Sequence, residues 1–151
     1  MRWINGSLGS HAMSSRKTLL HRLFGIGRIP ERYALMLRAE GIVLLDEGIG
    51  GSITLKNFRA PSRWHSWKRN WFTGCVVLTK QTFAAFALGK PIIYVPLDHE
   101  RFSELRLTIV DGVLFVGFDA AAFNDGWTGM VECRFKTSQA QLFVERLAAI
   151  D

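Results

Sequence analysis

Few side chains in this 151-residue chain stand at spacings that could do covalent chemistry. Ser14 and Lys17 make an S-x-x-K, the spacing at which an amine can take a hydroxyl proton, but no companion motif accompanies them. The "GIGG" of residues 48–51 lacks the strand–loop–helix setting in which backbone N–H groups cradle a phosphate, and reads as a hairpin turn. His65 and His99 each lack a partner at metal-ligand spacing. Asp98 and Glu100 flank His99 on a strand-to-helix turn, where Asp98 can act as a cap. Cys75 and Cys133 fall in apolar strand-like runs and read as small buried hydrophobes, not as a disulfide framework or metal ligands. There is no G-x-S-x-G, H-E-x-x-H, P-loop or C-x-x-C. The expectation is a protein that is not an enzyme and holds no metal and no cofactor.

What remains is "RWHSWKRNWF", residues 63–72, with three of the chain's five tryptophans and three of its Lys/Arg. Trp64, Trp67 and Trp71 would share one face of a helix, yet Trp71 and Phe72 already open a strand-like run. One reading packs Trp67 and Trp71 at the mouth of a barrel or on the N-terminal helices, with Lys68 and Arg69 solvated or stacked over a ring. The other makes residues 59–66 an exposed loop, basic and tipped with tryptophan, that docks on an anionic membrane. Tryptophan prefers the headgroup level, and each Lys or Arg near anionic lipid gains about 1 kcal/mol.

Composition frames these readings. Hydrophobic residues make up 48% and charged residues 21%, a globular balance with no apolar run long enough to span a bilayer. The net charge of +6 is uneven: residues 1–71 carry +8 and residues 72–151 carry −2. A basic half favours an anionic partner. Residues 1–12 read as an expression-tag remnant, residues 13–40 as an N-terminal helical segment and residues 41–151 as one domain. With few cysteines and no secretory h-region, the expected location is the cytoplasm, peripheral to a membrane where lipid is the partner.

The elements that must position the segment follow from periodicity. Two short helices are expected, over residues 14–25 and over "IPERYALMLRAEG", which has Pro30 in its first turn and Gly41 as a stop. From Gly41 the pattern turns to strands. "GIVLLDEGIGGSITLKNF" reads as two of them, with a Gly-rich turn between. A turn falls near Lys80 and Gln81, "PIIYVPL" is a short strand, and Asp111-Gly112 between apolar runs signals a hairpin. In "GMVECRFK", Val131, Cys133 and Phe135 share one face, and Glu132, Arg134 and Lys136 the other. The chain ends in a helix, with Ser138 and Gln141 as a capping box and Leu142, Phe143, Leu147 and Ile150 as its apolar face. The fold class is therefore mainly β: about seven antiparallel strands curled into a barrel, capped by a C-terminal helix, with two N-terminal helices.

Two segments carry a family likeness. "SWKRNWF", with the "VVLT" and "FAAF" that follow, resembles the opening of the second and third strands of pleckstrin-homology domains. "GCVVLTKQTFAAFALGKPIIYVPL" is similar to the pattern of the related GRAM domains. The likeness covers about residues 40–150 and implies a PH-like or GRAM-like binding module. It also implies that Lys56 supplies the basic residue of the first strand and Lys68 that of the second, with Asn70 where a further Arg stands in lipid-binding members. The terminal helix offers Phe143 where the family usually has a tryptophan. The expected binding residues are Lys56, Arg59, Arg63, Trp64, Trp67, Lys68 and Arg69. The expected partner is an anionic lipid headgroup or, as the alternative, a protein or peptide, or a second copy of the chain, gripped at a sheet edge by Trp and Arg anchors. Nucleic acid has only composition in its favour and is not expected.

Overall fold

The computed structural model describes residues 25–150. The first expected helix, the tag-like residues 1–12 and the Ser14/Lys17 pair lie outside the described residues, save Gly25 at the helix's end. The second helix is α1 (Glu31–Glu40), which starts directly after Pro30 and stops where Gly41 turns to φ +89°. That left-handed backbone suits glycine, which has no Cβ to clash.

Seven strands follow: β1 (Ile42–Ala60), β2 (Arg63–Thr79), β3 (Thr82–Ala87), β4 (Lys90–Pro96), β5 (Arg106–Val110), β6 (Val113–Asp119) and β7 (Thr128–Phe135). They form one antiparallel sheet in the order β4-β3-β2-β1-β7-β6-β5. The sheet bends but does not close, because β4 and β5 remain unpaired ends. The hairpin at Asp111-Gly112 forms as expected, with both residues at positive φ, as a two-residue turn between right-twisted strands requires. The turn at Lys80 and Gln81 also forms, between β2 and β3.

Two expectations fail in β1 and β2. Residues 48–51 do not make a hairpin. β1 runs straight through them, with a register shift between Glu47 and Ile49, where Gly48 sits at φ +73°. A bulge of this kind bends a strand without ending it. Residues 59–66 do not make a loop either. Pro61 and Ser62 alone form the turn, Ser62 taking φ +66°, and Arg63 already pairs with Ala60. The proline occupies the turn, where its missing N–H costs no ladder bond, so β1–β2 pairing runs up to it, although Asn57 at φ +49° interrupts the alternation of β1 and shifts its register with β7.

The long β1 and β2 are shared by two half-sheets. β3 pairs with β2 only from Gly74 to Leu78, and β7 pairs with β1 only from Gly51 to Arg59. The crossing lies at Gly51 and Gly74, where Phe72 fills the space that side chains would take. A Cβ on Gly51 would stand 2.5 Å from the Arg134 carbonyl and 2.7 Å from the Phe72 ring. The concave side buries Leu55, Val76, Phe83, Val116, Cys133 and Phe135. α2 (Ala140–Ala148) packs Phe143 and Leu147 onto it, which supplies the expected cover of the sheet. Leu142 points outward instead. The capping box does not form: Gln139 is the N-cap and makes no side-chain cap, while its N–H donates to Thr137 Oγ1 at 3.1 Å. Thr137 is held in turn by donating to Asp46 Oδ2 at 2.7 Å. On the opposite side of the first half-sheet, α1 buries Ala34 and Leu37 against Cys75, Val77, Ala84 and Phe86. Residues 63–73 therefore extend past β3 as the open edge of the second half-sheet.

Candidate functional site

Strand alternation decides where the tryptophans go. On β2, Trp67, Arg69 and Trp71 share the outer face, while Trp64, Lys68 and Phe72 turn the other way. The three tryptophans are exposed at 59% (Trp64), 57% (Trp67) and 67% (Trp71), so none is a core residue. The packed-mouth reading is thereby overturned for these rings. The alignment that a helix would have given Trp64, Trp67 and Trp71 is lost, because the segment is a strand.

The outer face is laid out in rows by the register. In one row Trp71, Ser52, Arg134 and Phe115 stand side by side on β2, β1, β7 and β6. In the next are Arg69, Thr54, Glu132, Gly117 and Arg106, reaching β5. In the third are Trp67, Lys56, Met130 and Asp119. The opposite side of the same strands supplies Leu55, Val131, Cys133 and Val116 to the core, as the alternation of "GMVECRFK" foretells.

Cations and rings interleave across these rows. The Arg69 guanidinium lies 5.3 Å from the Trp67 ring centre and 5.8 Å from that of Trp71, within cation–π range of both. Its Nε donates to Thr54 Oγ1 at 2.8 Å, which fixes it between the rings. Lys136 Nζ approaches Trp71 at 5.8 Å. Arg134 and Arg106 cover Phe115 at 5.1 and 5.8 Å. Lys56 Nζ pairs with Glu132 Oε2 at 3.1 Å, and Arg134 Nη2 lies 3.7 Å from Glu132 Oε1. These long side chains roof the face so completely that Thr54 and Ser52 beneath them are buried. Ser52 Oγ and Arg134 Nη1, neighbours in the register, are buried with no hydrogen-bond partner among the described residues.

The seven expected binding residues therefore divide. Lys56, Trp67 and Arg69 meet on the outer face. Arg59 and Trp64 are paired near the hairpin tip, where Arg63 stacks over Phe58 at 5.6 Å. Lys68 pairs with Leu55, on the side opposite Lys56. The two lysines that the family likeness would set in one headgroup site thus point to opposite faces, because they stand at adjacent register positions, Leu55/Lys68 beside Lys56/Trp67. Residue-level reading missed Trp71, Ser52, Arg134, Lys136, Phe115 and Arg106. The alternation of Glu132, Arg134 and Lys136 was the available signal, but nothing in the sequence shows which strand lies beside β1.

The other chemically suggestive residues have structural roles. His99 Nδ1 accepts from the Arg101 N–H at 3.0 Å, and the ring packs on Phe123. The 3₁₀ turn that follows, Phe102–Glu104, has no side-chain cap, so Asp98 does not take the capping role expected of it. Cys133 is fully buried, and burial pushes its thiol up to about 12. An apolar hollow of about 260 Å³ at the open seam is lined by Ile92, Tyr94, Phe123 and Trp127 among others. Burial, with Glu40 and Tyr33 adding to it, raises the Tyr94 phenol above its ordinary range. Among the described residues, no helix is long and apolar enough to cross a membrane.

Comparison with protein-family models, curated proteins and solved structures finds no match for the chain.

Proposed function

We propose that the chain is a non-catalytic, pleckstrin-homology-like binding module that docks its β1–β2 hairpin on an anionic membrane surface. A bent seven-stranded antiparallel sheet with a C-terminal helix on its core supports the class. One observation carries the ligand: Trp64 stands exposed beside the two-residue hairpin turn, flanked by Arg59 and Arg63. No Asp or Glu occurs between Glu47 and Asp98, so no acidic side chain of the hairpin opposes an anionic surface. Docking places the Trp64 ring at headgroup depth and brings Arg59, Arg63 and Lys68 to the lipid phosphates, each cation gaining about 1 kcal/mol. The association is electrostatic in large part and weakens as salt rises.

The test is co-sedimentation with phosphatidylcholine vesicles carrying a rising share of phosphatidylserine. Binding should climb with the anionic share, fall with salt, and drop in Trp64→Ser and in Arg63→Glu. The proposal fails if no binding is seen at low salt, or if both substitutions leave binding intact.

A further inference from the structure

The outer face has a different character from the tip, and we infer that it is a stacking platform for single-stranded nucleic acid. This goes beyond the membrane reading and stands on other residues. Trp67 and Trp71 are four strand residues apart, about 13 Å, so each ring can take a separate base. Arg69 lies between them, already held by Thr54, and Lys136 flanks the far ring. Base stacking on aromatic side chains, with cations along the backbone path, is how single strands are held without sequence reading.

A second, independent observation lies in the row of Trp71. Ser52 Oγ and Arg134 Nη1 are buried hydrogen-bonding atoms with no partner among the described residues, and they are cross-strand neighbours. A buried donor without an acceptor is costly, and a phosphate that displaced the covering side chains would supply acceptors to these donors. The Arg134 side chain is 30% exposed although Nη1 is covered, so a shift of this side chain presents its guanidinium to an incoming phosphate. The ring on one side and the two donors on the other match a base and the phosphate attached to it.

Charge favours the same occupant. The rows and their Lys136 margin carry Lys56, Arg69, Arg106, Arg134 and Lys136 against Glu132 and Asp119. A bilayer rewards apolar groups at a protruding tip, whereas Trp67 and Trp71 stand mid-strand with cations around them. An acidic peptide would meet the cations but leave the rings without planar partners.

The experiment uses the full chain and fluorescein-labelled oligonucleotides of about 12 nucleotides, within the usual site size of a single-strand-binding fold. Anisotropy is measured with oligothymidylate, with an abasic strand of equal length and with a duplex, at low and raised salt. The expected result is tightest binding to oligothymidylate, lost by roughly tenfold in Trp71→Ala or Trp67→Ala and largely recovered in Trp71→Phe. Trp64→Ser should bind the oligonucleotide like the parent, although it impairs vesicle binding. Arg134→Met should weaken the abasic strand and oligothymidylate alike, since it removes a phosphate contact. Equal affinity for abasic and normal strands, or indifference to both Trp67→Ala and Trp71→Ala, overturns the inference. So does a Trp71→Ala variant that loses vesicles but keeps the oligonucleotide, which would make the face part of the membrane site. Because both rings are exposed, a folded variant is expected, and an unchanged thermal midpoint verifies it.

Discussion

Replacing Gly51 by alanine should damage the protein far more than a methyl group ordinarily does. Gly51 is where β1 leaves one half-sheet and begins pairing with β7, one residue before Ser52. The added Cβ would stand 2.5 Å from the Arg134 carbonyl oxygen and 2.7 Å from two atoms of the Phe72 ring. Ordinary contact begins near 3.4 Å, so the carbonyl must retreat by almost 1 Å, and it belongs to a laddered strand that cannot swing aside. Phe72 cannot yield freely either, since it packs on Phe135 and lies over Gly74. Overpacking of this kind costs roughly 2–3 kcal/mol, which for a domain of this size lowers the melting midpoint by roughly 4–12 °C. Gly112→Ala is the informative control. Nothing lies within 4 Å of its Cβ position, but its φ is +79°. Only the left-handed backbone then opposes alanine, at about 1 kcal/mol. Thermal and urea unfolding of both variants decides the matter. If Gly51→Ala melts like the parent, or loses less than Gly112→Ala, the close crossing of β1, β2 and β7 is wrong.

Other outcomes follow from the buried polar groups. The Cys133 thiol has a folded value of about 12 against an ordinary 9.0, so between those values the folded state holds a proton that the unfolded state has released. The stability this thiol contributes is complete below pH 9.0 and is lost as the pH rises toward about 12, with a slope approaching 1.4 kcal/mol per pH unit from this group. Melting curves of the parent and of Cys133→Val across that window should diverge, the parent falling more steeply. In the folded parent, Cys133 should react with a thiol reagent only at the rate of unfolding. Thr137→Val removes the donor that Asp46 accepts at 2.7 Å and the acceptor of the Gln139 N–H. It should cost roughly 1–3 kcal/mol in urea unfolding, and a neutral result would show that the network does not anchor α2.

The strands were legible in the sequence because their signals are local. The Asp111-Gly112 turn needs two residues at positive φ, and a dipeptide can announce that. The alternation of Val131, Cys133 and Phe135 is written in consecutive positions and appears as their burial. Gly48 is ambiguous in the sequence because glycine serves a turn and a bulge equally well. Only the partner strand decides, and β2 continues opposite it from Cys75 to Gly74. Residues 59–66 are ambiguous for a related reason: a single Pro61 reads as a break, whereas hairpin pairing on both sides confines the turn to two residues. The candidate face was half legible. Trp67, Arg69 and Lys56 could be named from the chain, but Ser52, Arg134, Phe115 and Arg106 join them only because β7 lies beside β1 and β6 beside β7. That adjacency is set by long-range pairing and leaves no mark in any short window.

The period of two does more than distribute side chains; it separates functions. Lys56 and Lys68 are close in the fold, and a contact drawn between backbones would place them together. Their register partners, Trp67 and Leu55, show that one cation faces outward among rings and the other stands on the core side of the sheet edge. A slip of one residue in the β1–β2 pairing would exchange them, and would also carry Leu55 out of the core and Trp67 toward it. Burial of Leu55, with Val131 beside it on β7 and Cys133 two residues along, therefore fixes the side on which Trp67, Arg69 and Trp71 appear. The hydrophobic core holds the pattern of charge on a surface it never touches. Through that constraint one ten-residue segment can offer Trp64 with Arg63 at the tip and a Trp–Arg–Trp row on the face.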